Sequence, residues 1–175
     1  MFHEVSGDIL LTGAAAIAHG VSPNDDFHSG LALSLRERWP AMYKDFRHHC
    51  HTNHPKAGEI WAWAGVGPNG PIRIVCLLTQ DAAYGHGAKP GPASTDHVNH
   101  ALRKLARYLK DEKVSSVALP EIGTGVGGLS WDNVYPLIKT QLRDLAIPVI
   151  VYTTFHAGKA ADESAALAKR ATAKP

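Results

Sequence analysis

The sequence predicts an α/β fold, a mixed sheet sandwiched by helices, and three observations carry that prediction. Short apolar runs alternate with segments of helical periodicity along most of the chain. Two of the runs are joined by a Gly/Pro/Asn turn of the kind that links hairpin strands. A third run, at residues 117–122, passes through four glycines in six residues (Gly123, Gly125, Gly127, Gly128) into a helical segment. Glycine admits close backbone approach and positive φ, and the free N–H groups and dipole of a helix start favour a phosphate. The stretch is therefore read as a diphosphate-binding loop, with the rest of the chain as its support. A tight glycine turn without a ligand is the alternative reading.

The elements follow in order. Residues 5–11 read as a short strand broken at Gly7-Asp8, and residues 14–21 as a buried strand. The loop at residues 22–29, S-P-N-D-D-F-H-S, is dense in turn formers and ionisable groups. Leu31, Leu35, Trp39, Met42 and Phe46 then recur at steps of three and four, which predicts a helix over 31–48 with a kink or break at Pro40. Residues 58–64 and 72–78 are the hairpin strands. Residues 79–94 form a long Gly/Pro-rich loop, a length often found in functional segments. Val98, Leu102, Leu105 and Leu109 mark one face of a helix over 95–110, capped by Ser94 or Thr95. The glycine loop leads into a helix over 131–145 with Ser130 as N-cap, and residues 148–153 are the last strand. Residues 157–175 are Ala/Lys-rich and read as a C-terminal helix or tail outside the domain at 1–156.

Composition narrows the function classes. A chain of 175 residues, 45% hydrophobic and 19% charged, fits one soluble domain. A net charge of +2 argues against non-specific nucleic-acid binding and tolerates an anionic ligand. Two cysteines, Cys50 and Cys76, do not make a disulfide scaffold, so a reducing cytoplasm is expected. No stretch has the length of a membrane span, and no membrane partner is expected. His48, His49, His51 and His54 crowd together without a Cys-x-x-Cys partner, which favours a solvated helix end over a metal site. Gly123, Gly125 and Gly128 also satisfy G-x-G-x-x-G. A dinucleotide-binding sheet is disfavoured because too little chain follows to build it.

Several ordered motifs carry a resemblance. Gly7-Asp8-Ile9, Ala18-His19-Gly20-Val21-Ser22, Gly30-Leu31-Ala32, Pro120-Glu121-Ile122-Gly123-Thr124-Gly125 and Leu129-Ser130-Trp131 occur in that order. Over residues 5–155 the chain resembles a macrodomain. It looks most like the branch of the terminal ADP-ribose protein glycohydrolase, the chromatin-remodeller reader and the bacterial antitoxin that removes ADP-ribose from DNA. The resemblance implies a three-layer α/β/α domain with a central mixed, mostly parallel sheet, and ADP-ribose as ligand. It implies that Asp8, beside Ile9, accepts the adenine amino proton, although an Asp capping its own turn is equally open. It places Tyr152, or Phe155 in its stead, against the adenine ring, with core packing the alternative for the tyrosine. Gly123, Thr124, Gly125, Val126, Gly127 and Gly128 would hold the diphosphate, helped by the backbone of Ser29, Gly30 and Leu31.

The chain departs from the glycohydrolase pattern at two positions. Gln80 aligns with the lysine that attacks the ribose, and Gly127 with the assisting acid. Neither can act so, and Lys89 is the nearest lysine in sequence. The polar groups left near the ribose end are His19, Asn24, Asp25, Asp26, His28 and Ser29. His28, Asp26 and His19 are the expected acid–base residues, His28 with Asp25 or Asp26 as an acidic neighbour. A core histidine is the other reading of His19. Three functions follow as expectations. One is hydrolysis of mono-ADP-ribose from a macromolecule, with an ester to Asp or Glu as the default and nucleic acid as a further substrate. The second is a non-catalytic reader, and the third a phosphatase of ADP-ribose 1″-phosphate resting on His19. Hydrolysis is favoured. ADP-ribose and ADP-ribosylated protein are the expected partners; no cofactor or metal is required, and a monomer is expected.

Overall fold

A computed structural model describes residues 1–82, 84 and 89–167. The middle of the long 79–94 loop and the end of the Ala/Lys-rich tail lie outside the described residues. The strands are β1 (Phe2–Gly7), β2 (Ala16–Val21), β3 (Ile60–Gly67), β4 (Gly70–Leu78), β5 (Val117–Pro120) and β6 (Val149–Phe155). The helices are α1 (Gly30–Arg38), α2 (Pro40–Asn53), α3 (Thr95–Asp111) and α4 (Trp131–Leu142). The six strands form one sheet in the order β1-β6-β5-β2-β4-β3. Only the β3–β4 hairpin is antiparallel; the other neighbours are parallel. The C-terminal ends of β1, β6, β5, β2 and β4 therefore share one edge.

Both sheet faces are covered, which is why the central strands are nearly continuous apolar runs. Ile17, Ile74, Ala118 and Ile150 pack with Leu35, Met42 and Phe46 of α1 and α2. Ala16, Ala18, Val117, Leu119, Val149 and Val151 pack on the opposite face with α3 and α4. The result is the three-layer arrangement with a mixed, mostly parallel sheet.

The single helix expected over 31–48 is two helices. Trp39 takes a non-helical conformation (φ −128°, ψ 72°) between them, because a residue before proline is pushed out of the helical region. The second helix runs on to Asn53 and stops where His54 adopts a left-handed φ of 46°. His48–His51 are thus helical. His49 lies near Trp61 and Asn53, and the His54 ring packs at a tilt against Tyr84.

The chain does not leave the packed structure at residue 156. His156 N–H donates to the Gly7 carbonyl and Asp8 N–H to the Lys159 carbonyl. Glu163 accepts from the Thr12 hydroxyl (2.6 Å), Gly13 N–H (2.7 Å) and the Tyr152 hydroxyl (2.7 Å). Ala166, on one helical turn at 164–167, is buried. Apart from Tyr152–Glu163, these hydrogen bonds join residues about 150 apart in sequence, so apolar periodicity does not reveal them.

Candidate functional site

The common edge of the five parallel strands is where open α/β sheets present ligands. Cavities of about 360 and 840 Å³ lie at the other end of the strands, lined in part by residues that precede β2, β5 and β6. Neither reaches the glycine loop, so the loop edge is taken as the site.

Two neighbouring strands, β2 and β5, each lead through a loop into a helix start at this edge. After β5, Gly123 and Gly128 both take φ +76°, a conformation that L side chains rarely adopt. Gly128 N–H donates to the Gly125 carbonyl and Leu129 N–H to the Gly123 carbonyl, closing the loop on itself. Thr124 donates its hydroxyl to the Glu121 carbonyl (2.7 Å). A side chain at Gly125 would meet nothing within 4 Å, so this backbone faces open space, and Val126 is exposed beside it. Ser130 precedes α4 but makes no side-chain cap.

Gly127 differs from its neighbours. A Cβ there would lie 2.7 Å from both the Ala93 Cβ and the Gly123 carbonyl oxygen. The position aligned with the family acid thus has no room for a side chain, because the 79–94 loop returns against it through Ala93 N–H to the Gly127 carbonyl.

The loop after β2 is held rigidly. Asp25 accepts from the Ser22 hydroxyl (3.0 Å) and Phe27 N–H (2.8 Å), so its carboxylate organises the turn. Phe27 takes φ 52° and is fully buried against His19, Tyr43 and Phe46. That plug leaves Asp26, His28, Ser29 and Gly30 exposed in a row. Asp26 and His28 pair directly (Oδ1 to Nδ1, 2.5 Å), with side chains 59% and 70% exposed. Arg36 steadies the same point by donating to the Asp26 carbonyl (3.0 Å). Ser29 caps α1 without a side-chain bond, so its hydroxyl is uncommitted, and Leu31 is half-buried.

His19 is not on the cleft. It is 2% exposed, contacts the Cys76 thiol through Nε2 (3.3 Å) and meets Phe27 edge-on. Burial lowers its pKa to about 4, so it is neutral at physiological pH. The expectation of an acid–base or ligand role for His19 is corrected to a core histidine. Burial also pushes the Cys76 thiol well up, so this pair is inert packing.

Asp8 both caps its turn and binds elsewhere. Oδ1 accepts from Leu10 N–H (3.0 Å) and Oδ2 from Gly158 N–H (2.9 Å), at 8% exposure. Each oxygen keeps a second lone pair. Ile9 is buried. Tyr152 is 6% exposed with its hydroxyl on Glu163, so it is a core residue here and not a stacking ring; burial, then that hydrogen bond, raises its pKa. Phe155, 63% exposed at the end of β6, is the free aromatic at this end.

At the far end Gln80 is buried, and its amide donates to the Gly91 carbonyl (3.1 Å). It ties the loop together. Next to it are groups that sequence reading missed. His97 Nε2 lies 3.0 Å from Asp81 Oδ1, a second exposed acid–histidine pair. Among the described residues the buried Thr79 hydroxyl has no partner, and it lies 2.9 Å from where a side chain at Gly20 would begin. Asp81 directly follows Gln80, but its partner is sixteen residues on, beyond any local motif.

A parallel-sheet edge with two adjacent helix starts, a glycine loop with open backbone and paired acid–histidine groups defines an α/β domain for a phosphate-bearing ligand. The chain belongs to the Macro domain family, whose model matches residues 18–138. It is similar to a Thermosipho africanus protein named DNA ADP-ribosyl transferase-DNA ADP-ribosyl glycohydrolase fusion protein, 40% identical over 158 residues, covering 85% of this chain and 40% of that one. A Thermus aquaticus DNA ADP-ribosyl glycohydrolase is 26% identical over 153 residues, 87% of this chain and 41% of that protein. The chain therefore spans about two fifths of the length of the curated relatives it matches. Among solved structures, the macrodomain of Thermus aquaticus DarG superposes with a TM-score of 0.75 at 27% identity, covering 87% of this chain and 98% of that one. The macrodomain of Mycobacterium tuberculosis DarG gives 0.77 at 24% identity, covering 88% and 99%.

Proposed function

We propose that the domain binds ADP-ribose across the loop edge and hydrolyses the bond between mono-ADP-ribose and DNA. The observation that carries hydrolysis is the Asp26–His28 pair, exposed on the same rigid loop that opens α1. A bound diphosphate at the helix starts would fix the distal ribose nearby. Water then adds to the anomeric carbon as the bond to the nucleobase breaks. Asp26 orients His28 through Nδ1, which leaves Nε2 to pass the proton between water and the departing base. Gln80 and Gly127 support a route without a lysine adduct, since one is tied to Gly91 and the other has no space for an acid. DNA is preferred to a protein ester because the relatives carry that substrate in their names. The phosphatase reading lost its motive when His19 proved buried.

The test is a time course of ADP-ribose release from an ADP-ribosylated DNA oligonucleotide, run beside a protein ADP-ribosylated on Asp/Glu. Gly125→Glu is the control: its side chain enters open space and sets a carboxylate against the diphosphate, weakening ADP-ribose binding about a thousandfold. Release from DNA by the wild type and not by Gly125→Glu is expected. Release from the protein alone would reassign the linkage, and tight ADP-ribose binding with no release from either would make the domain a reader.

A further inference from the structure

We infer that a groove between the turn before β3 and the outer face of α3 holds the phosphate backbone of the nucleic-acid strand that carries the ADP-ribose. The groove has a volume of about 370 Å³ and is lined by Lys56, Glu59, His100, Arg103, Lys104 and Arg107. It rests on the reading above that the modified macromolecule is DNA.

Three observations support it. The first is position. Gly58 N–H donates to the Leu78 carbonyl (2.7 Å) and Leu78 N–H to the Glu59 carbonyl (3.0 Å), so the turn abuts the end of β4. Gln80 and Asp81 follow there, and α3 begins there, with His97 on Asp81 and Ser94 N–H on the Thr79 carbonyl. The groove thus starts at the distal-ribose end of the cleft, where a linked macromolecule must emerge.

The second is charge. Between Asp96 and Asp111, α3 carries no acid and four cations, Arg103, Lys104, Arg107 and Lys110. The other long helices mix signs, as in Lys44-Asp45-Phe46-Arg47 of α2. Among the described residues no carboxylate pairs with Lys56, Arg103, Lys104 or Arg107. The one acid of the groove, Glu59, has a carboxylate oxygen committed to Lys56 N–H. A chain of net charge only +2 concentrates its excess here.

The third is spacing. His100, Arg103, Lys104 and Arg107 stand at i, i+3, i+4 and i+7, one stripe opposite the buried Ala101, Leu102, Leu105 and Leu109. At 1.5 Å per residue the stripe runs about 10 Å, a length over which a stacked strand rises by about three nucleotides at about 3.4 Å each. An acidic peptide has no such fixed repeat of anions, which favours a strand.

The test separates the groove from the activity. A short fluorescein-labelled single strand without ADP-ribose is titrated by anisotropy, and ADP-ribose is titrated separately by calorimetry. With four phosphate contacts, strand affinity should fall about fifty-fold between about 50 and 200 mM salt; with the doubly substituted Arg103→Ala, Arg107→Ala protein the fall should be only about sevenfold. Lysines at both positions should keep the wild-type salt response, and all three proteins should bind ADP-ribose equally, which also shows that they fold. No strand binding at low salt, an unchanged salt response in the alanine protein, or equal competition by poly-glutamate would overturn the inference. If the strand binds as expected but ADP-ribosylated DNA is not hydrolysed, the proposed activity fails and the groove stands. Hydrolysis with a salt response that ignores the two arginines leaves the activity and removes the groove.

Discussion

The two ends of the cleft are built on opposite principles. At the Asp8 end the acids are held by protein partners: buried Asp8 holds Leu10 and Gly158, and half-buried Glu163 holds Thr12, Gly13 and Tyr152. At the far end two acid–histidine pairs reach the surface, Asp26 with His28 and Asp81 with His97. A buried carboxylate with fixed donors is locked in one state and serves geometry. An exposed acid–histidine pair stays open to water and to a ligand, as the proposed chemistry requires. In the proposed function the first end holds the ligand in register and the second reacts with it.

The sharpest contrast lies within the far end itself, between His19 under the loop and His28 on it. His19 titrates at about 4 when folded and near 6.5 when unfolded. A depressed folded pKa means that the unfolded state binds the proton first. Stability from neutral His19 is therefore full above pH 6.5, is lost as pH falls from 6.5 toward 4, and levels off below. The loss should total about 3 kcal/mol, read from denaturant midpoints across that range. His19→Gln should flatten the slope without removing hydrolysis; an unchanged slope would show that another group titrates there.

Next in size is the effect of breaking the Asp26–His28 pair. Asp26→Asn and His28→Ala should each slow release from ADP-ribosylated DNA about a hundredfold. Both side chains are exposed, so stability and ADP-ribose affinity should hold. Wild-type rates in both proteins would move the chemistry to Asp81 and His97.

The smallest effect tests the locked end. Glu163→Gln leaves one oxygen to accept and adds donors where Thr12, Gly13 and Tyr152 already donate. It should cost about 2 kcal/mol in unfolding free energy and loosen residues 157–167, seen as faster amide exchange at Gly158. Unchanged exchange would mean that Asp8 alone retains the segment.

Local patterns made much of this legible. Alternating periodicities, the hairpin turn and the glycine loop identified a mixed sheet between helices, because strand and helix periods are written residue by residue. Pro40 marked a break that became two helices. Ser94 as cap and Val98, Leu102, Leu105 and Leu109 as the buried face of α3 stand as expected. The position of Gly123–Gly128 before a helix start, and of the ionisable loop at 22–29 after a buried strand, was likewise local information.

Which of those loop side chains face solvent was decided only by packing. Phe27 turns into the core, and that single burial leaves Asp26 and His28 outside while covering His19. Tyr152 lost its expected contact with a ligand to Glu163, eleven residues later in a stretch with no apolar signal. Gly127 cannot carry the family acid because Ala93 occupies the space, a contact across 34 residues. The His97–Asp81 pair and the groove beside Lys56 arise in the same way, from segments that meet only when the sheet is assembled. Sequence determined the elements, since their causes lie within a few residues of each other. Tertiary structure decided which groups are locked and which are free, since burial depends on what the distant chain brings against them.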